Sequence, residues 1–402
     1  MLWLFSLHRL IFWGTDMNSR LSYSARFQVT SGQVTRAQLA LGRTFLLSLA
    51  SLVIATASLV SVDAVIGVED KVQPWEGEAF AADPSAILEA AAGLEPPAGS
   101  AVYRLVDDAT YRIDEQGRRE VRRRSVSKIL TRQGLANALV AAAWAPWLHD
   151  RPKLDARVIA PDGTSRRLDQ QTINEVPFPQ TDPRIFSDKR ILQAPLPGLS
   201  VGAIVEWETV VRERIRFFDG GTVTHMGLFS ADPNLLLLRR TVIAPTDYNL
   251  KHDVIGSDVE VHRTVADDQV KLTIEIRKPK AIQAIPTDLP LDFAAFPHLI
   301  CSGESSWGQI ATLYANTVAE KLNDAELSQI ATTISEGADS DEDRIRKALA
   351  YVQKQVRYTG LEFGQEAIIP HTPQQTLARG YGDCKDQSTF LVGLLRAMDI
   401  KA

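Results

Sequence analysis

Between about residue 100 and residue 285 the chain alternates apolar and polar positions with a period of two, the mark of half-buried strands. The clearest run is Val270, Leu272, Ile274 and Ile276, interleaved with Lys271, Thr273, Glu275 and Arg277. It follows Val259 and Val261 across Ala266-Asp267-Asp268-Gln269, which predicts a hairpin. Arg157-Val158-Ile159-Ala160 ahead of Pro161-Asp162-Gly163 predicts another, since Pro, Asp and Gly each suit a tight turn. Val205, Trp207 and Thr209 alternate with Glu206 and Glu208 as a further strand. The Pro-containing polar stretch 169–200 reads as a long loop. Strands separated by turns in this way predict an antiparallel, β-sandwich-like domain over residues 100–290.

Near residue 300 the period lengthens. Trp307, Ile310, Leu313, Tyr314 and Val318 follow helical spacing, with Ser305 or Ser306 as the cap. Ser340 opens a capping pattern with Asp343, and Ile345, Leu349, Val352 and Val356 form the apolar stripe behind it. A domain boundary therefore falls in 279–300, and residues 300–402 form the helical start of a second domain. The fold class expected for the whole is α+β.

The N-terminus has a different texture. No Asp or Glu lies between Met17 and Val62, whereas Arg20, Arg26, Arg36 and Arg43 are basic. Thr44–Val62 then runs without a charge. A basic leader feeding an apolar stretch is the pattern of an export signal, and Ala55-Thr56-Ala57 or Val62-Asp63-Ala64 supplies a cleavage site. The rival reading is an uncleaved inner-membrane anchor at 44–62. Ser48, Ser51, Ser58 and Ser61 dilute that span and favour cleavage. Either reading exports the remainder to the periplasm or cell surface. Residues 1–65 are assigned to this leader, for which Met17 is an alternative start, and 66–99 to a linker.

Composition narrows the function classes. The 402 residues are 45% hydrophobic and 23% charged with a formal net charge of −5, which gives no nucleic-acid footprint. The one basic run, Arg118, Arg119, Arg122, Arg123 and Arg124, reads as the solvated face of a strand. The seven histidines are scattered and the two cysteines, Cys301 and Cys384, stand apart, so neither a metal site nor any cofactor is expected.

The chemistry concentrates at Arg379-Gly380-Tyr381-Gly382-Asp383-Cys384-Lys385-Asp386, followed by Phe390, Leu391, Leu394, Leu395 and Met398 at helical spacing. A glycine-bearing turn thus feeds a buried helix, with Asp383 as N-cap, Asp386 at N3 and Cys384 in the first turn. Unpaired N–H groups and the positive end of the helix dipole favour a thiolate there. Lys385 adds to that effect, and Asp383 and Asp386 oppose it. The Cys384 N–H is placed to donate to an oxyanion. Cys384 is the single catalytic candidate. His371, thirteen residues earlier in a Pro-flanked loop, reads as structural. Gln365 lies in the same loop, and a Cys301–Cys384 disulfide is disfavoured because it would occupy the nucleophile.

Gly-Asp-Cys-Lys-Asp before an aliphatic helix, with Tyr358 after the preceding helix and Pro370 and Pro373 between, resembles the nucleophile segment of the transglutaminase-like superfamily. The likeness covers roughly 340–402. Asp399 and Lys401 depart from the Gly-Ile-Pro-Ala that usually closes the helix. Residues 100–300 resemble the all-β domain of uncharacterised function that precedes such a domain in exported bacterial proteins. The resemblance implies a papain-like second domain and a thiol acyl-transfer or amide-hydrolase chemistry on a peptide, protein or cell-wall peptide. It also implies a partner histidine and aspartate on strands after the nucleophile helix. The chain ends eighteen residues past Cys384, so the expectation is a truncated, inactive chain. The competing expectation is a noncatalytic envelope binding or scaffolding protein with a degenerate second domain.

Overall fold

The computed structural model describes residues 72–180, 182, 184–216, 224–230, 234–281, 296–303, 306–323 and 327–402. The leader expected over 1–65, with its apolar stretch 44–62, lies outside the described residues. Among the described residues no helix is long and apolar enough to cross a membrane.

A 3-10 turn at Pro74–Glu76 and helix α1 (Pro84–Ala92) come first. Strands β1 (Val102–Ile113), β2 (Arg119–Ile129), β3 (Leu139–Trp144), β4 (Lys153–Ile159) and β5 (Ser165–Arg167) follow. Next come β6 (Asn174–Pro177), β7 (Ile185–Ser187), β8 (Arg190–Pro195), β9 (Ile204–Arg212) and β10 (Thr224–Gly227). Then come β11 (Leu235–Pro245), β12 (Lys251–Ile255), β13 (His262–Ala266), β14 (Gln269–Arg277) and β15 (His298–Ser302). The remainder is α2 (Trp307–Asn323), α3 (Ser328–Ser335), α4 (Asp341–Gln355), β16 (Arg357–Tyr358), β17 (Gly360–Glu362), α5 (Pro373–Arg379), β18 (Tyr381–Gly382) and α6 (Cys384–Ala397).

Eight strands form one sheet in the order β13-β14-β11-β1-β2-β9-β4-β5. Two three-stranded sheets, β3-β8-β6 and β10-β15-β12, pack on it. The first buries Val140, Leu192 and Ala194 against Leu154, Ala156 and Val205 of the main sheet. The second buries Met226, Leu299 and Cys301 against Tyr111, Leu238 and Leu272. A third cluster sets Trp75 and Ile87 against Leu105, Val126 and Leu237. The layered β domain expected from the period of two is therefore present. Within the eight-stranded sheet the described pairs are antiparallel except the central pair β1–β11, which is parallel with Arg104 beside Leu235 and Arg112 beside Ile243.

Four local expectations need correction. Residues 66–99 are not a plain linker, because from Pro74 they fold into a turn and a helix whose Trp75 and Ile87 are fully buried. The stretch 169–200 is not one long loop, since it contains β6, β7 and β8. These strands are short, so the local pattern is weak and pairing with distant strands decides them. The arginine run is a solvated face only in part, for Arg122 is exposed and Arg118 half-buried whereas Arg124 is buried. Arg119 pairs with Glu213 at 3.1 Å, Arg122 with Glu208 at 3.0 Å and Arg124 with Glu206 at 2.6 Å, where Arg124 is 6% exposed. The boundary expected within 279–300 falls later, because β15 pairs with both β10 and β12 of the β domain.

The hairpin β13–β14 forms as expected, with Val265 opposite Val270 and the turn at Asp267-Asp268. Both turn residues have positive φ, 51° and 57°, the signature of a type I′ turn. Aspartate tolerates that region less well than glycine. Asp268→Gly is expected to raise stability by roughly 1 kcal/mol, read as a higher urea midpoint at unchanged slope.

In the second domain Leu327, Ala331, Ala348, Val352 and Val356 close around Phe390, Leu394 and Leu395. The cap expected at Ser340 is present, its hydroxyl accepting from Asp343 N–H at 3.2 Å. Ser306 caps α2 and exchanges hydrogen bonds with Gln309. The stripe on α4 is rotated from the expectation. Ala348, Val352 and Val356 are buried, whereas Ile345 and Leu349 are 39% and 41% exposed.

Candidate active site

The turn that presents Cys384 is built by two glycines. Gly380 ends α5 with φ 68°, the left-handed conformation that closes a helix and that a side chain disfavours. Gly382 lies so close to α6 that an added Cβ would stand 2.7 Å from the Asp386 Cβ. Between them β18 pairs in parallel with β16, setting Tyr358 beside Gly382. Thr359 N–H then donates to Gly382 O at 3.0 Å.

The expected capping box is present. Asp383 Oδ1 accepts from Lys385 N–H at 3.0 Å and Asp386 N–H at 3.2 Å, and Asp386 Oδ2 accepts from Asp383 N–H at 3.2 Å. Cys384 is the first residue of α6 and its side chain is exposed. The buried Lys385 ammonium pairs with the Asp383 carboxylate. Among the described residues no acceptor takes the Cys384 N–H, which leaves a donor for a developing oxyanion.

The electrostatics around the thiol oppose one another. Partial burial and the Asp383 carboxylate push the Cys384 thiol up. The Lys385 ammonium, the Lys385 N–H and the Tyr358 hydroxyl pull it down, and the net displacement is upward. The helix N-terminus and Lys385 therefore do not by themselves yield a thiolate. Tyr358 and Tyr314 are pushed up too, chiefly by burial.

His371 sits behind the turn rather than at the thiol. It is 7% exposed, and Asp386 Oδ1 accepts from its backbone N–H at 2.9 Å and contacts its Nδ1 at 3.2 Å. Its Nε2 lies 2.9 Å from Glu366 Oε1 and 2.5 Å from Arg379 Nη1. Nδ1 thus braces Asp386, the N3 residue of α6, while Nε2 is held by Glu366 and Arg379. Bonding to Asp386 raises the imidazole despite burial. A raised folded value stabilises the protein fully below the unfolded imidazole value near 6.5, and the contribution fades as pH rises through the folded value. His371→Gln is expected to remove that pH-dependent increment, read from denaturant midpoints between pH 5.5 and 8.5.

Cys301 is 1% exposed in β15, with its thiol pushed up to about 12 by burial, and it is free of any disulfide. Gln365 lies exposed on the 3-10 turn Gly364–Ala367. Among the described residues no cluster of His, Cys, Asp and Glu could hold a metal ion. Two contributors escaped the sequence reading. Tyr314 of α2 and the segment around Arg184 in the β domain reach this region from far along the chain, where no local pattern marks them.

Residues 115–283 match a family described as a domain of unknown function with solved structure, DUF3857. Residues 328–402 match the transglutaminase-like superfamily. A crystal structure from Parabacteroides distasonis ATCC 8503, of a protein named for a suspected protease activity, aligns at 14% identity and a TM-score of 0.60. That alignment covers 75% of this chain and 60% of the other, so the chain spans about 60% of its length. An M1 zinc metallopeptidase from Deinococcus radiodurans aligns at 12% identity over 50% of this chain and 42% of its own, with a TM-score of 0.25, too low to carry an argument. No curated protein matches the chain. The chain is therefore similar to DUF3857 over residues 115–283 and to the transglutaminase-like superfamily over residues 328–402, a segment that includes Cys384.

Proposed function

We propose that Cys384 is the nucleophile of a thiol acyl-transfer or amide-hydrolase protein exported to the cell envelope, acting on a peptide, protein or cell-wall peptide. The observation that carries this reading is an exposed thiol on the first residue of a capped helix, with its own N–H free to meet an oxyanion. In the reaction the thiol loses its proton to a base and the sulfur attacks the amide carbonyl. Collapse of the tetrahedral adduct expels the amine, which takes up a proton, and leaves an acyl thioester. Water or a second amine then attacks the thioester and returns the thiol.

The raised thiol defines what the base must do. The groups that act most on Cys384 are Asp383, Lys385 and Tyr358, while the His371 imidazole is turned to Asp386, Glu366 and Arg379. A histidine oriented by an aspartate, as the superfamily places after the nucleophile helix, would supply the missing proton acceptor. Export rests on the basic leader and apolar stretch of residues 17–62.

The test uses the whole protein without its leader. It is incubated with p-nitrophenyl acetate and, separately, with a glutamine-containing peptide, quenched in acid and weighed intact by mass spectrometry. An acyl adduct on the peptide carrying Cys384, discharged by hydroxylamine or an added amine, is the expected result. No adduct at any pH from 6 to 9 would sink the enzymatic reading and leave a noncatalytic envelope protein.

A further inference from the structure

The β domain pairs with the strand that follows Tyr358, beside the thiol turn. Strand β7 pairs in parallel with β17, setting Ile185 beside Gly360, Phe186 beside Leu361 and Ser187 beside Glu362. Gly360 N–H donates to Arg184 O at 2.8 Å, and Gly364 N–H donates to Asp188 Oδ2 at 3.0 Å. Lys189 and Glu362 add an ion pair at 3.5 Å. The fit is close, because a Cβ on Gly360 would stand 3.2 Å from Ile185 Cγ1. This seam begins two residues after Tyr358, whose backbone pairs with Gly382 beside Cys384 and whose phenol lies close enough to the thiol for each to shift the other.

Arg184 opens the seam and is itself fixed. Its Nε and Nη2 donate to the two carboxylate oxygens of Asp182 at 3.0 and 2.8 Å, a fork that sets the plane of the guanidinium. So held, the guanidinium carbon lies 5.9 Å from the centre of the Tyr358 ring. At that distance a cation attracts the ring face. The Tyr358 side is otherwise open, for the residue is 43% exposed. The ring needs a brace if its hydroxyl is to stay near the sulfur.

We infer that Arg184–Ser187 of the β domain forms one wall of the thiol cleft, and that Arg184 is a positioning residue holding the Tyr358 phenol against Cys384. This rests on the reading of Cys384 as the functional thiol. The β domain then becomes a component of the site, and its DUF3857 region gains a defined role. Arg184 acts through the ring. The titratable groups facing the sulfur are Asp383 and Lys385 on its own turn and Tyr358 from β16, with Tyr314 from α2 and Asp386 of α6 close by.

The experiment measures iodoacetamide labelling of Cys384 against pH in the whole protein and in its Arg184→Ala, Tyr358→Phe, double and Asp182→Ala variants. Loss of the phenol donor disfavours the thiolate. Tyr358→Phe should therefore shift the labelling midpoint to higher pH and slow labelling at neutral pH by roughly 3- to 10-fold. Arg184→Ala and Asp182→Ala should move the profile the same way by a smaller factor, and the double variant should match Tyr358→Phe alone. Unlabelled Cys301 in the same samples certifies the fold, since that thiol is buried. A wild-type profile for Arg184→Ala, or a double variant whose shift is the sum of the two singles, would overturn the proposal. Labelling needs no acyl donor, so the two readings fail separately. A shifted Arg184→Ala profile without any acyl adduct would refute only the enzymatic reading, and an adduct with an unshifted profile only the wall.

Discussion

Replacing Glu206 with alanine is expected to cost the β domain about 3–5 kcal/mol, the largest stability loss of any single polar change in it. Glu206 is fully buried in the main sheet. One carboxylate oxygen accepts from Arg124 Nε at 2.9 Å, Arg124 Nη2 at 2.6 Å and Phe80 N–H at 2.9 Å. The other accepts from Arg157 Nε at 2.7 Å. Both arginine side chains are 6% exposed, so truncation strands two guanidinium ions without a counter-charge. Arg124 also donates to Gly77 O at 2.7 Å, and the Arg167 guanidinium sits 4.1 Å from the centre of the Phe80 ring. The segment Pro74–Ala92 is therefore expected to loosen with Glu206→Ala and to become a site of limited proteolysis. Guanidinium denaturation followed by a β-sheet signal would measure the loss. A shift below 1 kcal/mol would show that the triad is hydrated and weak. Replacing all three charges with apolar residues of similar volume is expected to be close to neutral.

Cys384→Ala carries the largest expected effect on chemistry. In the whole protein the change should lower acyl transfer by on the order of 10⁴-fold or more, because no remaining group can form the thioester. It should leave folding within about 0.5 kcal/mol, since the side chain is exposed and the cap rests on Asp383 and Asp386. Steady-state turnover of an activated ester and a thermal melt on the same preparation measure both quantities. A variant that retained a tenth of the activity would move the nucleophile elsewhere. Cys384→Ser should behave like alanine, because a hydroxyl in that position has no comparable acidity.

The thiol turn was legible because the residues that cap and turn it are local. Asp383, Cys384 and Asp386 are neighbours in sequence, and the capping box, the glycine turn and the apolar stripe of α6 can be read without knowing what packs on them. The β13–β14 hairpin was legible for the same reason. Other features depend on partners brought from a distance. Arg124 reads as a surface residue until Glu206, on the adjacent strand β9 but far along the chain, neutralises it in the interior. Ile345 and Leu349 match the helical period, yet the face of α4 that packs is set by α3 and α6. Ile185–Ser187 is three residues long and becomes a strand only against Gly360–Glu362. Arg184 and the Tyr358 ring meet through a contact that no window along the chain would place.

The parallel pair β1–β11 also sets an order on synthesis. Its partners stand 131 residues apart, as Arg104 beside Leu235 shows. At about 5–20 residues per second, the strand that ends at Ile113 waits roughly 6–26 seconds for its neighbour to emerge. Meanwhile one edge of the future sheet centre stays open on the nascent chain, a template for mispairing. The strand carries Arg104, Asp107, Asp108 and Arg112, later paired with groups that include Arg240 and Arg239 of β11. These charges keep the waiting edge hydrated and hostile to foreign strands until the one with matching charge arrives. The ion pairs across β1 and β11 thus guard the sheet during assembly as well as tying it once formed.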